Sequence, residues 1–283
     1  MKIPNKVTPI KAFGAVSALL FVTSMANAAL IAYEDFDYPS GTSLTTTTIN
    51  NGSGWAGPWE NAISNISGFV VSGSQQSLHF DQSPQLVTDG SSHIFSVDNR
   101  ANERSFQNTF TPAFYSTMLV TASGTGGQMR MEFYSGSVLK ANVGIDQGSL
   151  YASAAGTGYT PTNSDSSASA FAADTTYLLA MRRGGNDLKA SLIEVNGDLS
   201  ILDSEPTWQV TNSGATGAAV DKLRLIGAGS ASDTWRFDEL RVGSDWASVT
   251  DGLQVVPEPS SYALIASLVC LGFVGGRRRL SRG

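Results

Sequence analysis

Hydrophobic periodicity constrains this chain more than any other feature. No long stripe recurs at 3.6 residues, so no amphipathic helix of domain length can form. Short runs of alternating polarity recur instead, separated by Gly, Ser, Asn and Asp. Met129-Arg130-Met131-Glu132-Phe133 alternates as a half-buried strand does. Comparable runs cover 68–72, 77–81, 93–97, 104–110, 115–121, 128–134, 138–145, 176–183, 188–195, 222–226 and 234–242. A chain of this kind buries its apolar residues by stacking sheets, which predicts an all-β sandwich or jelly roll over 29–254. Gly184-Gly185-Asn186-Asp187 reads as a hairpin turn, 245–249 as one helical turn, and the Ala/Ser/Gly/Thr-rich stretch 152–170 as a surface loop.

Charge narrows the function. The chain has 18 basic and 24 acidic residues. Seven of the basic ones lie at the two ends, so the body carries 11 basic residues against 23 acidic ones, a net charge of −12. That surface repels phosphate backbones and argues against nucleic acid as a partner. The single cysteine, Cys270, lies in an apolar C-terminal run, so the body has no disulfide and no cysteine-based zinc site. His79 and His93 sit in strand-like stretches and read as ordinary strand histidines rather than metal ligands.

Both ends read as addresses. Lys2, Lys6 and Lys11 precede an apolar stretch too short to span a bilayer, followed by Ala26-Asn27-Ala28. This is the pattern of a secretory signal peptide over 1–28, cleaved by signal peptidase before Ala29. At the other end come Pro257-Glu258-Pro259, the uncharged run 262–276, and Arg277-Arg278-Arg279. As a helix the run is roughly 22 Å long, a short transmembrane helix whose flanking arginines snorkel on the cytoplasmic side. This tail, over 255–283, resembles the PEP-CTERM sorting signal. The resemblance implies that an exosortase reads Pro257, Glu258 and Pro259 and removes the tail. The inner membrane then holds the precursor only, and the mature protein reaches the cell surface, outer membrane or extracellular polysaccharide matrix.

Within the body, Glu34-Asp35-Phe36 near the start and Asp238-Glu239-Leu240-Arg241-Val242 near the end resemble the first and last strands of concanavalin A-like (laminin G-like) sandwiches, and 177–195 resembles their central hairpin. The resemblance implies a structural Ca²⁺ on paired terminal strands, with Glu34, Asp35 and Asp238 as ligands and Asp37 and Glu239 as second choices, since strand alternation separates them from their neighbours. An acidic, solvated edge strand is the other reading of the same carboxylates.

Gly54-Trp55-Ala56-Gly57-Pro58-Trp59 offers two indoles on a glycine-rich loop. They stack on sugar rings if exposed, or pack across the open end of a sandwich if buried. The Gly-x-Gly-x-x-Gly match at 52–57 runs straight into Pro58 with no helix behind it, which excludes a dinucleotide loop. The glucanase signature Glu-x-Asp-x-x-Glu is absent, as are Gly-x-Ser-x-Gly and His-Glu-x-x-His. The sequence therefore points to an exported, non-enzymatic surface or matrix protein. A carbohydrate-binding lectin module and a glycoside-active enzyme with an unrecognised carboxylate pair are the alternatives.

Overall fold

The computed structural model describes residues 29–46, 51–63, 66–71, 94–96, 99–111, 113–154, 165–167, 171–184, 186–194, 202–214, 217–228 and 233–253. The signal-peptide residues Ala26 and Ala28, His79, His93, the strand expected at 77–81, the Pro257–Pro259 motif, Cys270 and the terminal arginines lie outside the described residues. No described helix is long and apolar enough to cross a membrane.

The alternating runs become strands, and every strand pair is antiparallel. In chain order they are β1 (Leu30–Glu34), β2 (Glu60–Asn61), β3 (Val70–Val71), β4 (Ile94–Ser96), β5 (Arg100–Phe110), β6 (Phe114–Ala122), β7 (Gln128–Ser135) and β8 (Val138–Asp146). There follow β9 (Ser149–Ser153), β10 (Asp165–Ser167), β11 (Tyr177–Gly184), β12 (Asp187–Glu194), β13 (Val210–Ser213), β14 (Val220–Ala228) and β15 (Trp235–Gly243). One sheet has eight strands in the order β13-β12-β11-β6-β15-β4-β3, with β1 also paired to β15; the other has seven, ordered β10-β9-β8-β7-β14-β5-β2.

The two sheets pack face to face. Met129, Met131 and Phe133 of β7 and Ala141, Val143 and Ile145 of β8 share one core with Phe114, Met118 and Val120 of β6 and Leu179 and Met181 of β11. The rings of Phe114 and Phe133 meet across the gap, 4.9 Å between centroids. The expected hairpin joins β11 to β12, closing on the pair Gly184–Asp187. The stretch read as a loop from 152 instead holds the end of β9 and all of β10, which pair in register. Its Ala/Ser composition hid strands stabilised by pairing with a neighbour rather than by their own propensity.

Beyond the eight-stranded sheet, Trp246, Val249 and Leu253 cover Leu119, Leu178 and Ala180 as a second small core. The first two belong to α1 (Trp246–Thr250), where Asp245 is the N-cap and exchanges hydrogen bonds with Ser248 as a capping box. α1 packs on β6 and β15, so among the described residues no helix lies over the outer face of the seven-stranded sheet.

Candidate functional site

Two arginine–carboxylate clusters stand out, and the first absorbs most of the residues singled out in the sequence. Glu34 ends β1 and its side chain is fully buried against Arg104 of β5, also fully buried. Its Oε2 accepts from Arg104 Nη1, from Tyr38 Oη at 2.9 Å and from Trp59 Nε1 at 3.0 Å. Its Oε1 accepts from the Phe36 backbone N–H at 3.0 Å, in a turn that holds Phe36 at φ +50°. Arg104 also donates from Nε to the Gly57 carbonyl at 2.7 Å and from Nη2 to that of Asn51 at 2.9 Å. Burial pushes the Glu34 carboxyl up to about 7, against the pull of Arg104 and the three other donors.

This cluster fixes the glycine-rich loop. Trp55 Nε1 donates to the Tyr33 carbonyl at 2.8 Å, and its ring stacks on Phe106 at 5.0 Å. Arg104 lies 4.9 Å from the Trp55 ring centroid and 5.7 Å from that of Trp59. Gly54, at φ +80°, lets the loop pass against the Ile31 carbonyl, which a Cβ would strike. Trp55 and Trp59 keep 7% and 2% of their surface exposed. Neither therefore presents a ring face to a sugar, which corrects the stacking expectation. Both pack where the loop joins β1 of one sheet to β5 of the other, through the Tyr33–Ser53 and Trp55–Phe106 bridges.

The carboxylates expected to hold calcium are drawn into separate contacts by the same geometry. Glu34 is held by a guanidinium and three neutral donors, three of the four bonds falling on Oε2. Asp35 caps its own turn, accepting from the Asp37 N–H at 3.1 Å. Asp238 accepts from the Glu239 N–H at 2.8 Å and is fully buried, as Glu34 is, so neither belongs to a solvated edge. No group of three or more potential metal ligands gathers among the described residues. A bulge between Asp238 and Arg241, with Glu239 at φ +51°, breaks the expected alternation. It buries Glu239 against Arg241, 2.9 Å away, and the Tyr33 hydroxyl, 3.3 Å away. Asp37 is exposed, and its carbonyl accepts from Asn51. Ala29, the expected mature N-terminus, donates its N–H to Ser244 Oγ at 3.1 Å.

The second cluster was not singled out in the sequence. It lies on the outer face of the seven-stranded sheet, where the residues between the core positions point. Register sets Glu60, Glu103, Arg224, Glu132, Asn142 and Ser153 opposite one another across β2, β5, β14, β7, β8 and β9. Directly opposed residues share a face, so these six form one polar row. Arg224 gives Glu103 Oε2 two hydrogen bonds, 2.7 Å and 3.1 Å, and Lys222 gives Oε1 one of 2.8 Å. Arg224 also donates to Tyr134 Oη at 2.9 Å, and that hydroxyl donates to Glu132 at 2.7 Å. Burial alone would raise Glu103, but hydrogen bonds from Lys222 and Arg224, with their charges, hold it below the usual carboxylate range.

The next row contains Arg130, Gly144 and Tyr151. A Cβ on Gly144 would collide with the Met129 carbonyl and meet the Tyr151 hydroxyl at 2.9 Å, so glycine lets the tyrosine cross the strand. Tyr151 Oη donates to Asn142 Oδ1 at 3.2 Å. Asn142, Tyr151 and Ser153 are fully buried although they lie on the outer face, whereas Glu103 and Arg224 keep 15% and 19% of their side chains exposed, so accessibility falls along the row towards β9.

No family model matches this chain, and no curated protein does. Solved structures do. It is similar to a sialidase at 9% identity and TM-score 0.42, over 78% of this chain but only 19% of the sialidase. It is similar to the exoplasmic/lumenal domain of VIP36 in its Ca²⁺-bound form at 9% identity and TM-score 0.43, over 65% of this chain and 86% of that one. Domain 4 of AbnA, a GH43 extracellular arabinanase from Geobacillus stearothermophilus solved with arabinotriose, matches at 12% identity and TM-score 0.45, over 80% of this chain and 99% of that one.

Proposed function

We propose that this chain is an exported, non-enzymatic cell-surface or exopolysaccharide-matrix protein of concanavalin A-like build. In this reading it binds polysaccharide on the outer face of its seven-stranded sheet. One observation carries the binding reading: the polar row of Glu103, Arg224, Glu132 and Asn142, with Tyr134 hydrogen-bonded into it. Polysaccharides are recognised by planar, fixed donors and acceptors beside aromatic rings, held so that little order is lost on binding. The row supplies that chemistry, and the other sheet's outer face is partly sealed by α1.

A hydrolase reading has less support. Glycosidases of the two-carboxyl kind place the pair about 5–9.5 Å apart, with one carboxyl protonated. Glu103 and Glu132 both face Arg224, and Glu103 is held below the usual carboxylate range by Lys222 and Arg224, so it is not the protonated member such a pair needs. Asp146 is pushed up by burial, but it lies four residues along β8 from the partner of Glu132, about 14 Å away.

The sorting signals at both ends supply the route outward. Production in an exosortase-bearing host, followed by intact-mass measurement of each cell fraction, tests the route. A product from near Ala29 to near Pro257–Pro259 in the surface or matrix fraction is expected. A product retaining Cys270 and the arginines in the inner membrane would overturn the sorting reading. Titration of the mature product with a panel of soluble polysaccharides tests the binding; saturable binding that Arg224→Gln weakens is expected, and no binding to any of them would sink it.

A further inference from the structure

Two donors on this face have no acceptor. Asn142 is fully buried and its Oδ1 is used by Tyr151, but its Nδ2 has no hydrogen-bond partner. Arg130 Nε is likewise buried without one. Asn142 opposes Glu132, and Arg130 opposes Gly144, so the two side chains are diagonal neighbours on one face. Gly144, with the Tyr151 hydroxyl lying over it, completes that corner. A buried N–H without an acceptor is costly, and two side by side mark a place where an oxygen belongs.

Resting on the polysaccharide reading above, we infer that this oxygen is a hydroxyl of a neutral pyranose, bound between Arg130 and Asn142. The surrounding charges select it over a carboxylate or sulfate. Arg130 Nη1 is 3.6 Å from Glu132 Oε1, and Asp146 lies two residues beyond Gly144 on the same face. Arg224 Nη1 also lies 3.9 Å from Glu132 Oε2, so both guanidiniums are already matched by carboxylates and an incoming anion meets no unmatched positive charge. A hydroxyl instead accepts from Nε and Nδ2 while donating its proton to Glu132. Arg130 keeps 19% of its side chain exposed and is held by that long ion pair, so the incoming hydroxyl takes the place of the Nη1–Glu132 contact and leaves Nε beside it.

The experiment titrates the full-length mature protein with a soluble neutral glucan and with a polyuronate of matched length, at low and high salt. The variants are Asn142→Ala/Tyr151→Phe, which removes the donor and the hydroxyl that would lose its acceptor, and Asn142→Asp, which keeps the oxygen Tyr151 uses. Glu103→Gln reports on the face as a whole. The expected result is glucan binding insensitive to salt and weakened about tenfold or more in a folded Asn142 variant. Preference for the polyuronate, falling with salt, would overturn the neutral class but leave the face reading standing. Glucan binding kept by both Asn142 variants but lost in Glu103→Gln would overturn the inference alone. Binding of neither polymer, or binding that every variant leaves intact, would overturn the face reading with it.

Discussion

Glu34–Arg104 and Glu103–Arg224 use the same two side-chain types for opposite ends. The first pair is fully buried, and the carboxylate and the guanidinium are both committed to partners inside the chain. The second keeps 15% and 19% of its side chains exposed and stands beside donors that lack acceptors. Saturation marks a clamp, here joining β1, the 51–59 loop and β5. In the proposed binding reading, the incompletely satisfied polar face is where a ligand sits. An ion pair's role is thus read from what remains unbonded around it, not from the pair itself.

Breaking the clamp produces the largest effect. Glu34→Ala leaves Arg104 buried without its counter-charge and is expected to cost about 3–5 kcal/mol in denaturant unfolding. Replacing both partners, as Glu34→Leu/Arg104→Met, removes the buried charge and is expected to recover much of that loss. A double variant no better than the single would mean that the hydrogen bonds to Trp59, Tyr38 and Phe36, not the charge pairing, hold the loop.

The two clusters also titrate with opposite sign. Glu34 is raised from 4.5 to about 7, so the folded state holds its proton more tightly than the unfolded chain does. Its contribution to stability is complete below pH 4.5 and is lost as the pH rises towards 7. Glu103 is lowered, so its contribution is present above the ordinary value of 4.5 and is lost as the pH falls through the folded one. Thermal unfolding across this range should therefore peak in mild acid. Glu34→Gln should flatten the limb towards neutrality, and Glu103→Gln the acid limb. A neutral limb that rises in the parent protein would show that the Arg104 charge outweighs burial at Glu34.

Much of the strand pattern was legible because alternation is a local property. The runs that became β5 to β8, β11, β12, β14 and β15 overlap their expected bounds. The polar row was not legible. Glu60, Glu103, Glu132, Asn142 and Arg224 are scattered over five strands, and only register brings them into line. Trp55 and Trp59 left packing and sugar stacking both open for a related reason. A glycine-rich loop suggests exposure, but Glu34 and Arg104, 70 residues apart, draw it into the interior. The bulge at Glu239 had no signal either, because the residue at positive φ is not a glycine.

A smaller test lies beneath the row. Gly144→Ala sets a methyl against the Met129 carbonyl and the Tyr151 hydroxyl. The strand must shift to admit it, at a cost of about 1–3 kcal/mol by chemical denaturation. The same shift moves Asn142 and Arg130, so glucan affinity should fall further than stability alone explains. Unchanged affinity at full occupancy of the fold would place the bound sugar away from this corner.

The smallest change in stability is expected where the charges are most accessible. Glu103→Gln removes the charge and one of the two acceptor oxygens, that of Lys222 or that of Arg224, which in the clamp would be severe. Here Lys222 and Arg224 keep 21% and 19% of their side chains exposed, so both can turn towards water when the carboxylate is lost. The expected loss is about 0.5–1.5 kcal/mol, against several for Glu34→Ala. Arg224 also orients Tyr134, whose hydroxyl holds Glu132, so a released guanidinium loosens the row more than the fold. Polysaccharide affinity should fall while the unfolding midpoint in denaturant barely moves. If the midpoint drops as far as in Glu34→Ala, Glu103 is a second clamp, and the division between the two clusters fails.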